Sequence, residues 1–141
     1  MPKYTRYKTK SAKVEWVRAI DITERLKRLS KVLDLNYLEV SQISCYRSYN
    51  SKARAYARIW GLGRLWQIEL NQKPKYIIEV ISEKFDNLNL EEKDKVIMHE
   101  IANIPKNFSG SLVPHIRKRG KRNFQGKVSE FVNKYLSQRI K

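Results

Sequence analysis

The sequence predicts one α+β domain, in which an N-terminal helix precedes a small sheet and two further helices. Apolar residues recur at helical spacing in separate segments, and the middle of the chain holds short runs with the composition and alternation of strands. Hydrophobic residues make up 41% of the 141 residues, which is enough for one core. We therefore predict a basic N-terminal arm over residues 1–13 and a single folded domain over residues 14–141.

The first helix is predicted after Asp21, whose short carboxylate suits the N-cap position. One face is apolar, because helical spacing brings together Ile22, Leu26, Leu29 and Leu33. The remaining surface is largely basic and carries Arg25, Lys27, Arg28 and Lys31. The apolar face is expected to pack in the core, and the basic face either meets solvent or contacts phosphate.

The middle of the chain is predicted to form a small, mostly antiparallel sheet. Residues 38–47 are a candidate strand. Residues 53–60 and Arg64–Leu70 are predicted as the two arms of a hairpin, because Gly61-Leu62-Gly63 between them is typical of a short turn. The apolar run Tyr76–Ile81 is short enough to be a further strand.

Two helices are predicted in the last third of the chain. Asn89 suits an N-cap, and Glu92 stands at the third helical position, as in a capping box. This helix should end at or before residue 104, since Pro105 follows. Its expected core residues are Leu90, Ile97 and Ile101. The closing helix is predicted from the apolar spacing of Phe124, Val128, Phe131, Tyr135 and Ile140.

The candidate catalytic residues lie at positions 99–103, which read His99-Glu100-Ile101-Ala102-Asn103. A zinc-peptidase helix reads H-E-x-x-H: its two histidines share one helix face and bind one zinc ion, and its glutamate activates water. Asn103 stands where that pattern has its second histidine. A His-Glu pair on a helix is by itself an ordinary surface pair and does not indicate a metal site. The residues that follow it are more specific.

The wider segment reads MHEIANIPKNFSGSLVPH over residues 98–115. It resembles a small zincin-like metallopeptidase family of archaea and phages, whose zinc helix reads H-E-x-x-H-I-P and whose third histidine follows a loop containing F-S-G. The resemblance covers roughly residues 76–124 and is strongest over 98–122. It implies a minimal zincin-like domain with an HE-bearing helix, in which His99 and His115 are zinc ligands and Glu100 is the general base.

The sequence departs from the family pattern at Asn103. A catalytic zinc site has about three protein ligands and water, and an amide oxygen is a poorer zinc ligand than imidazole. We therefore interpret the site as vestigial and expect no cofactor, with zinc as the alternative. Three explanations stay open. The fold is a degenerate peptidase used for binding, Asn103 replaces a natural histidine to trap an inactive enzyme, or the site works with a weak or unusual metal set.

The charge of the chain favours a polyanionic partner. Lys and Arg number 30 against 14 Asp and Glu, for a net charge of +16. We predict an RNA-binding, ribosome-associated or ribosomal protein that contacts rRNA and neighbouring ribosomal proteins, with a zinc-dependent metallopeptidase as the alternative. A merely solvated basic surface is the third reading. The predicted RNA contacts are Lys3, Arg6, Lys8 and Lys10 in the arm, and Arg117, Lys118, Arg119, Lys121 and Arg122 beside the former active site.

The remaining features point to the cytoplasm. No apolar run reaches the roughly 18 residues that a membrane span needs. The single cysteine, Cys45, cannot form a disulfide within the chain, which favours a reducing compartment.

Overall fold

The structure is a computed structural model that describes residues 13–114 and 124–140, and it confirms the predicted α+β class. Its strands are β1 (Glu15–Arg18), β2 (Ile43–Tyr49), β3 (Ala57–Gly61) and β4 (Tyr76–Ile81). Its helices are α1 (Ile20–Val32), α2 (Arg64–Leu70), α3 (Ser82–Phe85), α4 (Leu90–Ile101) and α5 (Phe124–Ile140), with a short 3₁₀ helix at Val40–Gln42. None of the helices within these ranges combines the length and apolarity that crossing a bilayer requires.

The four strands form one mixed sheet in the order β1-β2-β4-β3. β1 pairs with β2 and β3 pairs with β4 in antiparallel fashion, whereas the central pair of β2 and β4 is parallel. Parallel neighbours need a crossover connection, and here the chain between β2 and β4 supplies β3 and α2. As a result, β3 is an edge strand whose only strand partner among the described residues is β4.

The core lies between one face of the sheet and helices α1, α4 and α5. From the centre of the sheet, β4 turns the buried side chains of Tyr76, Ile78 and Val80 toward these helices. The predicted core residues of the helices are buried, with two departures. Leu90 is 63% exposed because it is the first residue of α4, and Val128 is half-buried against the core. The side chain of Ile140 lies outside the described part of the chain.

Two predicted boundaries are wrong by a few residues. α1 begins at Ile20 with Ala19 as its N-cap. The carboxylate predicted to cap it, that of Asp21, lies in the first turn and accepts two hydrogen bonds from Arg47. The candidate strand over 38–47 begins only at Ile43, since the residues before it form the 3₁₀ helix.

The predicted hairpin is wrong. Arg64–Leu70 forms helix α2, and β3 pairs with β4 instead. The alternation of apolar residues over these seven positions also fits a strand with one buried face. In the structure these apolar side chains are exposed, and the one buried residue of α2 is Gln67. Its Nε2 donates to the carbonyl oxygens of Leu62 and Ser109, at 2.7 and 2.8 Å, and these tertiary bonds favour the helix.

The predictions for β4 and α4 are confirmed. Asn89 caps α4 by accepting from the backbone N–H of Glu92 at 2.9 Å, and the Glu92 carboxylate accepts from the backbone N–H of Asn89 at 3.0 Å. This reciprocal capping box satisfies two N–H groups at the helix start. α4 ends at Ile101, before Pro105 as expected.

Phe131→Ala should lower the free energy of unfolding by about 3–5 kcal/mol, because the Phe131 ring is 8% exposed and its loss leaves a cavity under α5. Chemical denaturation measures the change. Ser129→Ala, on the exposed side of the same helix, is the control and should shift stability by less than about 0.5 kcal/mol. A loss below about 1 kcal/mol for Phe131→Ala would contradict its place in the core.

Candidate active site

A cavity of about 650 Å³ lies between the end of α4 and edge strand β3. We call it the α4–β3 cavity. The strand side contributes residues 55–59, and the loop after α4 contributes Leu112. The helix side contributes Lys95, Val96, His99 and Glu100, with Asn103 just beyond the helix. Three residues of the sequence motif therefore share one concave wall.

The packing of α4 presents these residues to the cavity. Ile97, Met98 and Ile101 are fully buried in the core and fix the rotation of the helix. His99 is half-buried, and its ring meets the ring of Phe124 edge to face, with centroids 4.7 Å apart and an interplanar angle of 79°. The first residue of α5 thus supports the imidazole from outside the helix.

Glu100 is a buried carboxylate without a hydrogen bond or ion pair to any residue of the described ranges. Its side chain is 7% exposed, and burial raises the pKa of Glu100 to about 7. Leaving a buried polar group unpaired is costly, and such a cost is typical of a group kept for function. A carboxyl group with a pKa near neutrality suits general acid–base catalysis at that pH.

Asn103 lies in the turn after α4 and is 4% exposed. Its Nδ2 donates to the carbonyl oxygen of His99 at 3.3 Å. In an amide side chain it is the oxygen, Oδ1, that carries the lone pairs a metal ion can bind. Its carbonyl oxygen accepts from the backbone N–H of Val113 at 2.6 Å. Asn103 therefore joins the end of α4 to the chain that leads toward position 115.

The loop after α4 is fixed to the sheet by Tyr76. The Tyr76 hydroxyl accepts from the N–H of Gly110 and donates to the carbonyl oxygen of Ser111, both at 2.8 Å. Gly110 has a φ of 96°, which favours glycine. A Cβ atom at Gly61 would overlap the carbonyl oxygen of Gly110. Sequence reasoning assigned Gly61 to a hairpin turn; its role is to let β3 and this loop approach.

Several predicted site residues lie outside the described residues. These are the proposed ligand His115, the arm residues Lys3, Arg6, Lys8 and Lys10, and the loop residues Arg117, Lys118, Arg119, Lys121 and Arg122. Within 13–114 and 124–140, no group of three His, Cys, Asp or Glu side chains is placed to hold a metal ion. The described part of the site still fits one in its chemistry, since the His99 imidazole and the unpaired Glu100 carboxylate line the same cavity.

The model of a protein family described as putative phage metallopeptidase matches residues 14–134. This chain belongs to that family. No curated protein and no solved structure matches the chain. The family match agrees with the sequence-based resemblance to a small metallopeptidase family.

The family match corrects the main functional prediction. Interpreting the chain as an RNA-binding or ribosomal protein with an inactive peptidase fold is wrong, and the metallopeptidase alternative is favoured. The expectation of no cofactor is wrong for the same reason, since a metallopeptidase family implies zinc. Net charge misled the prediction because it describes the whole surface and identifies no partner.

Gly61→Ala should destabilise the domain by about 1–3 kcal/mol, because the added methyl group overlaps the Gly110 carbonyl and forces strand and loop apart. Gly63→Ala is a matched control two residues away, where a Cβ atom meets nothing within 4 Å. Chemical denaturation of both variants measures the difference. Equal stability of the two variants would contradict the close approach of β3 and the loop.

Glu100→Gln should reveal the cost of the buried charge. Because burial raises the pKa of Glu100 from its ordinary 4.5 to about 7, the fold favours the protonated carboxyl. Its contribution to stability is present below pH 4.5 and is lost as the pH rises through about 7. In a chelator, the stability of the wild type relative to Glu100→Gln should fall by up to about 3 kcal/mol from about pH 5 to 8.

Urea denaturation at the two pH values measures this difference. Glu69→Gln, an exposed residue of α2, is the control and should show a much smaller pH dependence relative to the wild type. A stability difference between Glu100→Gln and the wild type that does not vary with pH would contradict an unpaired, buried carboxylate.

Proposed function

We propose that this protein is a zinc-dependent peptidase that hydrolyses peptide bonds in the α4–β3 cavity. His99 and His115 would hold the zinc ion, with Asn103 Oδ1 as a weaker third donor, and Glu100 would serve as the general base. Zinc supplies a Lewis acid and lowers the pKa of water, both of which peptide hydrolysis uses. The family match supports this proposal, and the ligand set extends the sequence resemblance.

The observation that carries the proposal is the Glu100 carboxylate. Another buried glutamate of this fold, Glu79, accepts hydrogen bonds from Arg58, Trp16 and Trp60. Glu100 has no such partner among the described residues, although it lines a cavity next to His99. A general base must reach the proton it takes and have a pKa near the working pH. Burial of Glu100, which raises its pKa to about 7, meets the second requirement.

The second support is the position of β3 at the edge of the sheet. One side of β3 pairs with β4, and residues 55–59 line the cavity. Extended peptides commonly bind by pairing with a free strand edge, which satisfies their backbone groups. A peptide bound along β3 would pass in front of Glu100, and the strand-side residues Ala55, Ala57 and Ile59 would leave room for apolar side chains.

We also propose that the protein works in the reducing cytoplasm. Cys45 is fully buried, and burial raises the pKa of its thiol. A buried thiol with a raised pKa is a poor nucleophile for disulfide exchange. Cys45 therefore serves packing within β2 and does not need an oxidising compartment.

The test combines zinc binding with peptide hydrolysis. Wild-type protein loaded with zinc should cleave a fluorogenic peptide mixture, and Glu100→Gln should abolish cleavage while zinc affinity changes little. Asn103→His should raise zinc affinity by at least about tenfold, since a ligand that is an amide becomes an imidazole. Glu69→Gln, outside the cavity, is the control and should retain both properties.

Two results would overturn the proposal. One is the absence of cleavage by both the zinc-loaded wild type and zinc-loaded Asn103→His. The other is cleavage that persists unchanged in Glu100→Gln, which would place the catalytic base elsewhere or identify a contaminating peptidase.

A further inference from the structure

The face of the sheet that points away from the helices carries exposed aromatic side chains. Trp16 on β1 is 57% exposed, Trp60 on β3 is 50% exposed, and Ile77 on β4 is 40% exposed. Together with Tyr46 and Glu79 they line a shallow cavity of about 380 Å³. We call these five residues the open-face cluster. Exposed apolar patches of this kind mark interaction sites more often than ordinary surface.

Glu79 holds the open-face cluster in place. Its carboxylate is 1% exposed and accepts from Trp16 Nε1 at 3.2 Å and from Trp60 Nε1 at 2.9 Å. Arg58 donates to the same carboxylate through Nε at 2.9 Å and Nη2 at 3.3 Å. Both indole rings are therefore oriented before any partner binds. Such preorganised tryptophans lose little side-chain entropy on binding, which favours affinity.

Arginines make the open face electropositive. The strand register places one row of side chains across the sheet, in the order Arg18, Tyr46, Glu79 and Arg58. Arg58 neutralises Glu79, but Arg18 forms no ion pair with a carboxylate of the described residues. Arg18 instead donates to the Tyr46 hydroxyl at 2.8 Å, with its guanidinium carbon 4.9 Å from the ring centroid. The face therefore combines apolar surface with an unbalanced positive charge.

This positive charge argues against binding of another segment of the same chain, or of a second copy, to the open-face cluster. Residues 1–12 and 115–123 contain Lys and Arg but no Asp or Glu, so neither segment complements the face. A second copy brings the same net charge of +16, which opposes pairing through this surface. The complementary occupant is an acidic chain that also carries apolar side chains.

The ring geometry favours a protein segment over stacked nucleotide bases. Bases bind aromatic residues through the ring faces. Arg18 already covers one face of Tyr46, and the guanidinium carbon of Arg58 lies 5.2 Å from the ring centroid of Trp60. An arginine therefore already occupies one face of each of these two rings, and the rings line the cavity together with Ile77, an arrangement that suits contact with aliphatic and aromatic side chains. Tryptophan and arginine are also the residue types that dominate the binding energy of protein interfaces.

We propose that the open-face cluster is an exosite that binds a segment of the substrate protein in which Asp or Glu alternates with apolar residues. β3 connects the two sites, because residues 55–59 line the α4–β3 cavity and Trp60 belongs to the cluster. A segment held on the open face is thus tethered one strand away from Glu100. The inference rests on the proposed peptidase function for the identity of the partner, but binding itself needs no zinc.

The test is fluorescence polarisation in a chelator with a labelled peptide of alternating Glu and Leu. Trp60→Ala and Trp16→Ala should weaken binding by at least about tenfold. Ile77→Glu should abolish binding, because the added carboxylate repels the acidic peptide, whereas Ile77→Lys should retain binding. Glu79 is unchanged in both variants. The matched controls are Trp66→Ala on α2 and Arg28→Ala on α1, both exposed and outside the cluster, and both should bind within about twofold of the wild type.

Three results would overturn the exosite. The first is peptide binding that both Trp60→Ala and Ile77→Glu leave intact. The second is a loss of peptide affinity in Trp66→Ala as large as that in Trp60→Ala. The third is Trp60-dependent binding of oligouridylate or of phosphatidylglycerol vesicles that is tighter than binding of the acidic peptide.

Zinc-loaded protein gives a second readout. Trp16→Ala, on β1 and away from the strand proposed to bind the scissile peptide, should raise KM for a substrate carrying the acidic segment and leave kcat unchanged. The hydrolysis of a short substrate should be unaffected. If the peptide binds through the open-face cluster but the zinc-loaded protein hydrolyses no peptide, the cluster is a docking surface. In that case only the identification of its partner as a substrate is overturned.

Discussion

The hydroxyl of Tyr76 ties the loop after α4 to the sheet, and the arrangement of the site depends on this contact. Tyr76 is 1% exposed and bonds both Gly110 and Ser111, while its ring packs edge to face against Phe108. The loop can come this close only because Gly61 has no side chain. The loop is also joined to the end of α4, because the backbone N–H of Val113 donates to the carbonyl oxygen of Asn103. Asn103 and Leu112 both line the α4–β3 cavity.

Two buried glutamates differ in how the fold compensates the burial of their carboxylates. Glu79 accepts hydrogen bonds from two indoles and an arginine, which offset the loss of hydration and orient an exposed aromatic surface. Glu100 lacks any such partner in the described ranges, and burial alone raises its pKa. A fold under selection for stability alone would pair or replace that carboxylate. An unpaired carboxylate beside His99 is the kind of group that the proposed peptidase site needs.

Strand β3 connects the two proposed binding regions. Its backbone and small side chains face the α4–β3 cavity, and Trp60 turns toward the opposite face of the sheet. This division follows from the alternation of side chains along a strand. An extended substrate beside β3 would therefore have the α4–β3 cavity on one side of the sheet and the open-face cluster on the other. Under this proposal, the net charge of +16 would attract acidic substrates over long range.

The sequence by itself determined the α+β class, strand β4, the capping box at Asn89 and the core faces of α1 and α5, because these follow from local spacing and capping chemistry. It also located His99 and Glu100 through the motif. Tertiary structure alone decided that Arg64–Leu70 is a helix, since seven alternating residues fit either structure until Gln67 finds its carbonyl partners. It likewise decided the desolvation of Glu100, because burial depends on which distant segments pack against α4.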